Sequence, residues 1–188
     1  MRIITGLARG VKLQTLEGEA TRPTAERVKE ALFSMIQFDL EDAVVLDLFA
    51  GSGQLGLEAL SRGAERAVFT DVSSDATAII KANAQKTRLF EKCRVLTMDY
   101  KDYIRAAAGK YKFDFIFLDP PYAQKILPEV IKKIQAADIL TDAGIIVCES
   151  EEDLSIDEYN LSDSFEIIKQ VKYGRIHLCL LKKKETNV

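Results

Sequence analysis

Apolar segments of strand length alternate with amphipathic segments from Ala43 to Glu149, and this alternation restricts the fold more than any other feature. A strand, a helix and a second strand in succession form a right-handed unit with parallel strands. Strands that are apolar almost throughout indicate a sheet covered on both faces. The predicted strands are residues 43–49, 66–71, 94–98, 113–118 and 144–149, and the predicted helices are residues 54–62, 75–86, a segment ending near 108, and 127–137.

The C-terminal region departs from this alternation. Two strand-like segments, Phe165–Lys172 and Ile176–Leu181, are separated only by Tyr173, Gly174 and Arg175. Such a short link requires an antiparallel hairpin. The expected fold class is therefore α/β, with a mostly parallel seven-stranded sheet that ends in a C-terminal antiparallel hairpin.

The first 40 residues precede this pattern and differ from it. Residues 2–16 alternate loosely and contain glycine turn points, which predicts a short hairpin. Pro23 stiffens the backbone, and Thr24 is expected to cap a helix whose apolar positions recur at helical spacing, at Val28, Leu32, Met35 and Ile36. We therefore divide the chain into an N-terminal extension, residues 1–40, and a main domain, residues 41–188.

The composition limits which classes of protein the chain can belong to. The formal net charge is −3 and the isoelectric point is about 5.4, so any surface for nucleic acid has to be a local basic patch. Cys93, Cys148 and Cys179 form no C-x-x-C pair and there is one histidine, so we expect core cysteines in a reducing compartment and no metal site. With no apolar run long enough for a signal peptide or a membrane span, we expect a cytoplasmic protein without membrane contact.

A glycine-rich loop joins the first strand of the main domain to its first helix. Gly51, Gly53 and Gly56 spell G-x-G-x-x-G, and Asp71 lies 20 residues beyond Gly51. Small residues let the backbone approach a ligand, and an acid after the second strand accepts hydrogen bonds from ribose hydroxyls. This pattern fits both a nicotinamide dinucleotide and S-adenosylmethionine.

Two features favour S-adenosylmethionine. Asp47 lies inside the strand, four residues before Gly51, where a carboxylate attracts an ammonium and a sulfonium but not a pyrophosphate. A nicotinamide enzyme usually also has a substrate domain, for which no sequence follows the hairpin. Asp99, after the third strand, either caps the next helix or binds the adenine amino group.

The fourth strand ends in Asp119-Pro120-Pro121-Tyr122, at the sheet edge where open parallel sheets bind ligands. The exocyclic amine of a base is a poor nucleophile because its lone pair is delocalised into the ring. Asp119 and the carbonyl of Pro120 can each accept one N–H and so direct the lone pair at a methyl group. Tyr122 can stack on the base, and a paired base has to be flipped out first. The tetrapeptide therefore predicts an amino-group methyltransferase that needs no metal.

The chain resembles the RsmD family, the bacterial 16S ribosomal RNA guanine-N2 methyltransferases, over nearly its whole length. The resemblance rests on residues 2–13 (RIITGLARGVKL), 21–36 (TRPTAERVKEALFSMI), 45–64 (VLDLFAGSGQLGLEALSRGA), 113–122 (FDFIFLDPPY) and 172–174 (KYG). It implies a Class I (Rossmann-like) S-adenosylmethionine-dependent methyltransferase fold and a catalytic corner at Asp119–Tyr122. The cofactor contacts that it implies are Asp47, Ala50, Gly51, Ser52, Gly53, Asp71, Asp99 and Thr24.

The N-terminal extension is expected to carry the RNA contacts. Residues 1–30 hold six basic residues and four acids, a net charge of +2, which leaves −5 for the rest. A solvated hairpin face would look similar, and Arg22 could close over the cofactor instead. The expected partner of a monomeric enzyme is 16S ribosomal RNA within an assembled or assembling small subunit, contacted through Arg2, Arg9, Lys12, Arg22 and Arg27.

Other functions fit parts of this pattern. An adenine-N6 methyltransferase shares the DPPY tetrapeptide but usually carries a recognition domain, for which this chain is too short. A protein-glutamine methyltransferase more often has Asn in place of Asp119. A silent RNA-binding or assembly module has no reason to keep both motifs. Binding of S-adenosylhomocysteine or of NAD separates the methyltransferase from a nicotinamide-binding protein.

Overall fold

The computed structural model describes residues 1–16, 23–121 and 125–185, apart from the side chains of residues 23–25. The helices are α1 Pro23–Ile36, α2 Gln54–Ser61, α3 Ser74–Lys86, α4 Tyr100–Ala107 and α5 Leu127–Ala137, with a 3-10 turn at Phe90–Lys92. The strands are β1 Val44–Asp47, β2 Arg66–Asp71, β3 Cys93–Thr97, β4 Phe113–Leu118, β5 Leu140–Ser150, β6 Phe165–Tyr173 and β7 Ile176–Lys183.

The strands form one seven-stranded sheet in the order β3-β2-β1-β4-β5-β7-β6. Strands β1 to β5 run parallel, and β7 runs antiparallel between β5 and β6. The predicted α/β class, the parallel core and the C-terminal hairpin are therefore confirmed. Strand β5 begins at Leu140 rather than at Gly144, because a register shift against β4 brings Thr141 beside Asp114.

The start of α1 corrects one prediction. The helix begins at Pro23, so Thr24 lies inside its first turn and is not the N-cap. Proline fits the first helical position because the amide hydrogen that it lacks would have no partner within the helix. The side chain of Thr24 lies outside the described residues.

Two clusters of buried side chains cover the two faces of the sheet. One packs the N-terminal extension, α1, α2 and α3 against β1, β2 and β4. The other packs α4, α5 and the segment 151–164 against the opposite face, where Leu154 and Leu161 are buried. The acidic segment after β5 thus contributes apolar side chains to the core. The N-terminal extension shares one buried cluster with the strands of the main domain.

The N-terminal extension forms the short hairpin that the sequence predicts. Arg2 and Lys12 pair as an isolated antiparallel bridge, and the amide of Ile3 donates to the carbonyl of Val11 at 3.0 Å. The turn lies against the end of α2, where the amide of Leu7 donates to the Ser61 carbonyl at 2.8 Å. No helix in the described ranges is both long and apolar enough to cross a bilayer.

Two glycines of this hairpin provide a matched test of its docking. Gly6 and Gly10 have φ of 86° and 84°, but a Cβ on Gly6 would lie 1.7 Å from the Ser61 carbonyl oxygen, whereas Gly10 has open space. Gly10→Ala should lower the free energy of unfolding by about 1 kcal/mol through backbone strain alone. Gly6→Ala should lower it at least twice as much, as measured by urea unfolding. Equal losses would contradict the docking of the hairpin on α2.

Candidate active site

The sheet brings four predicted site segments to one edge. Parallel β3, β2, β1 and β4 are neighbours, and all end there. Asp71 is level with Thr97, two residues before Asp99. On the other side, the amide of Leu48 donates to the Phe117 carbonyl at 3.2 Å, two residues before Asp119. Asp99 and Asp71, the glycine loop and the DPPY corner therefore follow one another along the edge.

The glycine loop needs its glycines for different reasons. Gly51 and Gly53 have φ of 51° and 77°, a left-handed conformation that glycine adopts without strain. Gly56 lies in the first turn of α2, where a Cβ would be 2.3 Å from the ring of Phe69. The third glycine therefore lets α2 pack closely on β2, and the first two shape the loop. The amide of Ala50 fixes the loop to β2 by donating to the Thr70 carbonyl at 3.0 Å.

Asp47 is almost completely buried, with 2% of its surface exposed. Its carboxylate accepts a hydrogen bond of 3.0 Å from the amide of Gly56. Burial raises the pKa of Asp47 to about 7, with a smaller upward contribution from Asp71, and the Gly56 hydrogen bond opposes this shift. The sequence places this acid beside the loop, whereas the structure shows that it lies beneath the loop and supports α2.

Asp71 fastens the loop to the end of β2. One carboxylate oxygen accepts from the amide of Gly51 and the other from the amide of Ser73, each at 2.9 Å. Each oxygen has a second lone pair, which can accept a hydroxyl. Val72 follows it and is 69% exposed, which leaves an apolar surface beside the acid that sequence reasoning missed.

Asp99 caps α4 by accepting a hydrogen bond of 2.8 Å from the amide of Lys101. The capping alternative is thus confirmed, and the contact with an adenine amino group stays a prediction. At the other end of the edge, Asp119 is half-buried, Pro120 is buried and Pro121 is exposed. Tyr122 lies outside the described residues.

The structure brings three of the five residues that were predicted to contact RNA close together. Arg2 and Arg9 line an open cleft of about 240 Å³, and the bridge places Lys12 opposite Arg2. Glu26 and Glu30 line the same cleft, and Glu26 forms an ion pair with Arg2 at 3.4 Å. Two arginines therefore face two carboxylates there. Arg27 is exposed on α1, and Arg22 lies outside the described residues.

Two polar side chains near the loop carried no signal in the sequence. Gln54 opens α2, and its Oε1 is buried without a hydrogen-bond partner within the described ranges. Asn83, in α3, is fully buried and donates to the carbonyl of Ser52 at 2.9 Å. The burial of Gln54 and the contact of Asn83 with Ser52 follow from packing, which no local spacing reveals.

Comparisons with known proteins agree on one family. The family model described as "Conserved hypothetical protein 95" matches residues 1–182. The candidate rRNA methyltransferase YlbH of Bacillus subtilis is 36% identical over 98% of this chain and 100% of its own length. The ribosomal RNA small subunit methyltransferase D of Haemophilus influenzae is 36% identical over 81% of this chain and 80% of its own. A solved structure of a candidate methyltransferase from Escherichia coli, 29% identical, superposes with a TM-score of 0.85 over 99% of both chains.

The raised pKa of Asp47 predicts a pH-dependent stability. The folded chain keeps this proton up to about pH 7, whereas the unfolded chain releases it above the ordinary value of 3.8. The folded state thus binds more protons between these values, and this group lowers the free energy of unfolding by about 1.4 kcal/mol per pH unit as the pH rises. Asp47→Asn, which keeps an oxygen for the Gly56 amide, should be less sensitive to pH in urea unfolding at pH 5 and 7.5. Identical pH slopes for the two proteins would mean that Asp47 is ionised throughout.

Proposed function

The chain belongs to the RsmD family, and we propose that it transfers a methyl group from S-adenosylmethionine to the N2 amino group of a guanine in 16S ribosomal RNA. The observation that carries this proposal is the position of Asp119-Pro120-Pro121 directly after β4, which pairs with β1, the strand that leads into the glycine loop. A corner that can hold an amine and a loop that can hold a nucleoside share one sheet edge.

The residues around the loop fit S-adenosylmethionine. Asp71 would hold the ribose hydroxyls, and the exposed side chain of Val72 would support the adenine ring. The Oε1 of Gln54 is buried and has no hydrogen-bond partner among the described residues. It suits a donor such as the methionyl ammonium, since an unmet buried acceptor is costly. Because the pKa of Asp47 is raised to about 7, this side chain would attract the positive charges of the cofactor only in its ionised form. It would do so through its field, since the carboxylate is buried and bonded to Gly56.

The corner acts on the amine that receives the methyl group. When bound, S-adenosylmethionine supplies an electrophilic methyl group on a sulfonium, a good leaving group. Asp119 and the carbonyl of Pro120 would each accept an N–H of the guanine amine and aim its lone pair. Two consecutive prolines restrict the backbone there, so the acceptors stay in place without rearrangement. Tyr122 would stack on the flipped base.

The charge distribution supports an RNA presented within the small subunit. The chain has a net charge of −3, and the cleft that holds Arg2 and Arg9 also holds Glu26 and Glu30. Affinity for free RNA rests mainly on the neutralisation of phosphates, for which this surface offers little net charge. Recognition of a folded particle adds shape and further contacts. We therefore place Arg2, Arg9, Lys12 and Arg27 at the edge of the RNA contact.

Identification of the methylated nucleoside tests the function directly. The protein should be incubated with methyl-labelled S-adenosylmethionine and with small subunits from cells that lack the enzyme, and the RNA then digested to nucleosides. We expect the label in N2-methylguanosine. Label in N6-methyladenosine would keep the chemistry of the corner and overturn the substrate. No label, with S-adenosylhomocysteine still bound, would favour a silent RNA-binding module.

Asp119→Ala tests the assignment of the corner. The variant should bind S-adenosylhomocysteine as the native protein does, because Asp119 is assigned to the amine and not to the cofactor. Its turnover at saturating substrates should fall by roughly a hundredfold or more, the scale seen when one transition-state hydrogen-bonding group is removed. Calorimetry and single-turnover methyl transfer measure the two effects. Loss of cofactor binding with unchanged turnover at saturation would show that Asp119 serves the cofactor instead.

A further inference from the structure

Asn83 connects the N-terminal hairpin to the glycine loop through a single buried side chain. Its Oδ1 accepts from the amide of Gln14 at 2.8 Å, and its Nδ2 donates to the Gln14 carbonyl at 3.0 Å. The same Nδ2 donates to the carbonyl of Ser52 at 2.9 Å. Both amide hydrogens and one acceptor position are therefore used, and the side chain has no exposed surface.

The two segments that Asn83 joins belong to different predicted ligand sites. Gln14 directly follows the hairpin that carries Arg2, Arg9 and Lys12. Ser52 lies between Gly51 and Gly53, two loop residues with positive φ. The hairpin belongs to the predicted RNA surface and the loop to the predicted cofactor site.

The three hydrogen bonds of Asn83 depend on one another. If Gln14 leaves, Oδ1 and one amide hydrogen lose their partners inside the core, where an unmet polar group is costly. The amide would then turn to find other partners and release the Ser52 carbonyl. The loop is therefore held most firmly in one conformation when the hairpin is seated, that is, when Gln14 is bonded to Asn83. In the same way, the hairpin is held most firmly when the Ser52 carbonyl is bonded to Asn83.

We propose that Asn83 is a positioning residue that couples RNA binding at the hairpin to cofactor binding at the glycine loop. This inference rests on the proposed function. An RNA that binds the seated hairpin favours the loop conformation that holds the cofactor, and a bound cofactor favours the seated hairpin. By linkage, each ligand raises the affinity for the other by the same factor, here about tenfold.

The test measures a thermodynamic cycle. Calorimetry gives the affinity for S-adenosylhomocysteine alone and in the presence of small subunits that lack the modification. We expect the affinity ratio of about ten to fall close to one in Asn83→Ala. Asn83→Asp is a second variant of nearly the same shape, which keeps the acceptor for Gln14 and loses both donated bonds, and it should behave in the same way.

Thr87→Val is the matched control. Thr87 is the buried C-cap residue of α3, and its hydroxyl donates to the carbonyls of Asn83 and Ala84. The control loses a buried polar group of the same helix but no bond to Gln14 or Ser52. It should unfold at a lower temperature and keep the tenfold ratio.

The outcomes separate the two proposals. If Asn83→Ala and Asn83→Asp keep the ratio of the native protein, Asn83 supports stability alone and the coupling is refuted. A ratio of one in the native protein refutes it as well. If the native protein does not bind S-adenosylhomocysteine, the proposed function fails together with the coupling. Methyl transfer to RNA without any coupling leaves the proposed function intact.

Discussion

One buried carboxylate, Glu58, holds the N-terminal extension on the rest of the molecule. It accepts the amides of Ile4 and Thr5 at 2.8 and 3.0 Å and pairs with Lys29 at 3.3 Å and Arg62 at 2.9 Å. Burial lowers the pKa of Lys29, and the attraction of Glu58 opposes that shift. Removal of Glu58 would leave Lys29 and Arg62 without their counter-charge, and the loss of a buried partner of this kind costs about 3–5 kcal/mol. The hairpin, α1 and α2 therefore behave as one unit.

This unit holds α2, and through it the glycine loop of the candidate site, in position. Glu58 fixes α2 near its C-terminal end, and Asp47 fixes the same helix near its start by accepting the amide of Gly56. Asp71 holds Gly51, while the hydroxyl of Thr70 donates to a backbone carbonyl of the turn after β1. Several buried or half-buried polar groups thus restrict the conformations of the loop backbone. This restriction lowers the entropy cost of ordering the loop when the cofactor binds.

The sequence predicts what local patterns encode. Apolar periodicity gave the order of strands and helices, and the G-x-G-x-x-G and DPPY motifs marked the sheet edge, because each of these signals lies within a few residues. The prediction that Thr24 caps α1 was wrong, because Pro23 can itself occupy the first helical position. The roles of Glu58 and Asn83 could not be predicted, since their partners lie more than 50 residues away in sequence or on separate elements. Burial of Asp47 likewise follows from packing and not from its position in the motif.

The balance of charge on the hairpin bears on how an acidic protein can act on RNA. The two carboxylates that line the cleft with the two arginines cancel most of the long-range attraction to RNA, so electrostatic steering adds little to the rate of encounter. The same carboxylates can accept hydrogen bonds from base amines and 2′-hydroxyls, which a purely basic surface does not do. Such a surface selects for local shape and hydrogen-bonding groups at the expense of general affinity. If the substrate is the proposed guanine within a small subunit, this trade is an advantage, because the competing phosphates on the particle far outnumber those of the target.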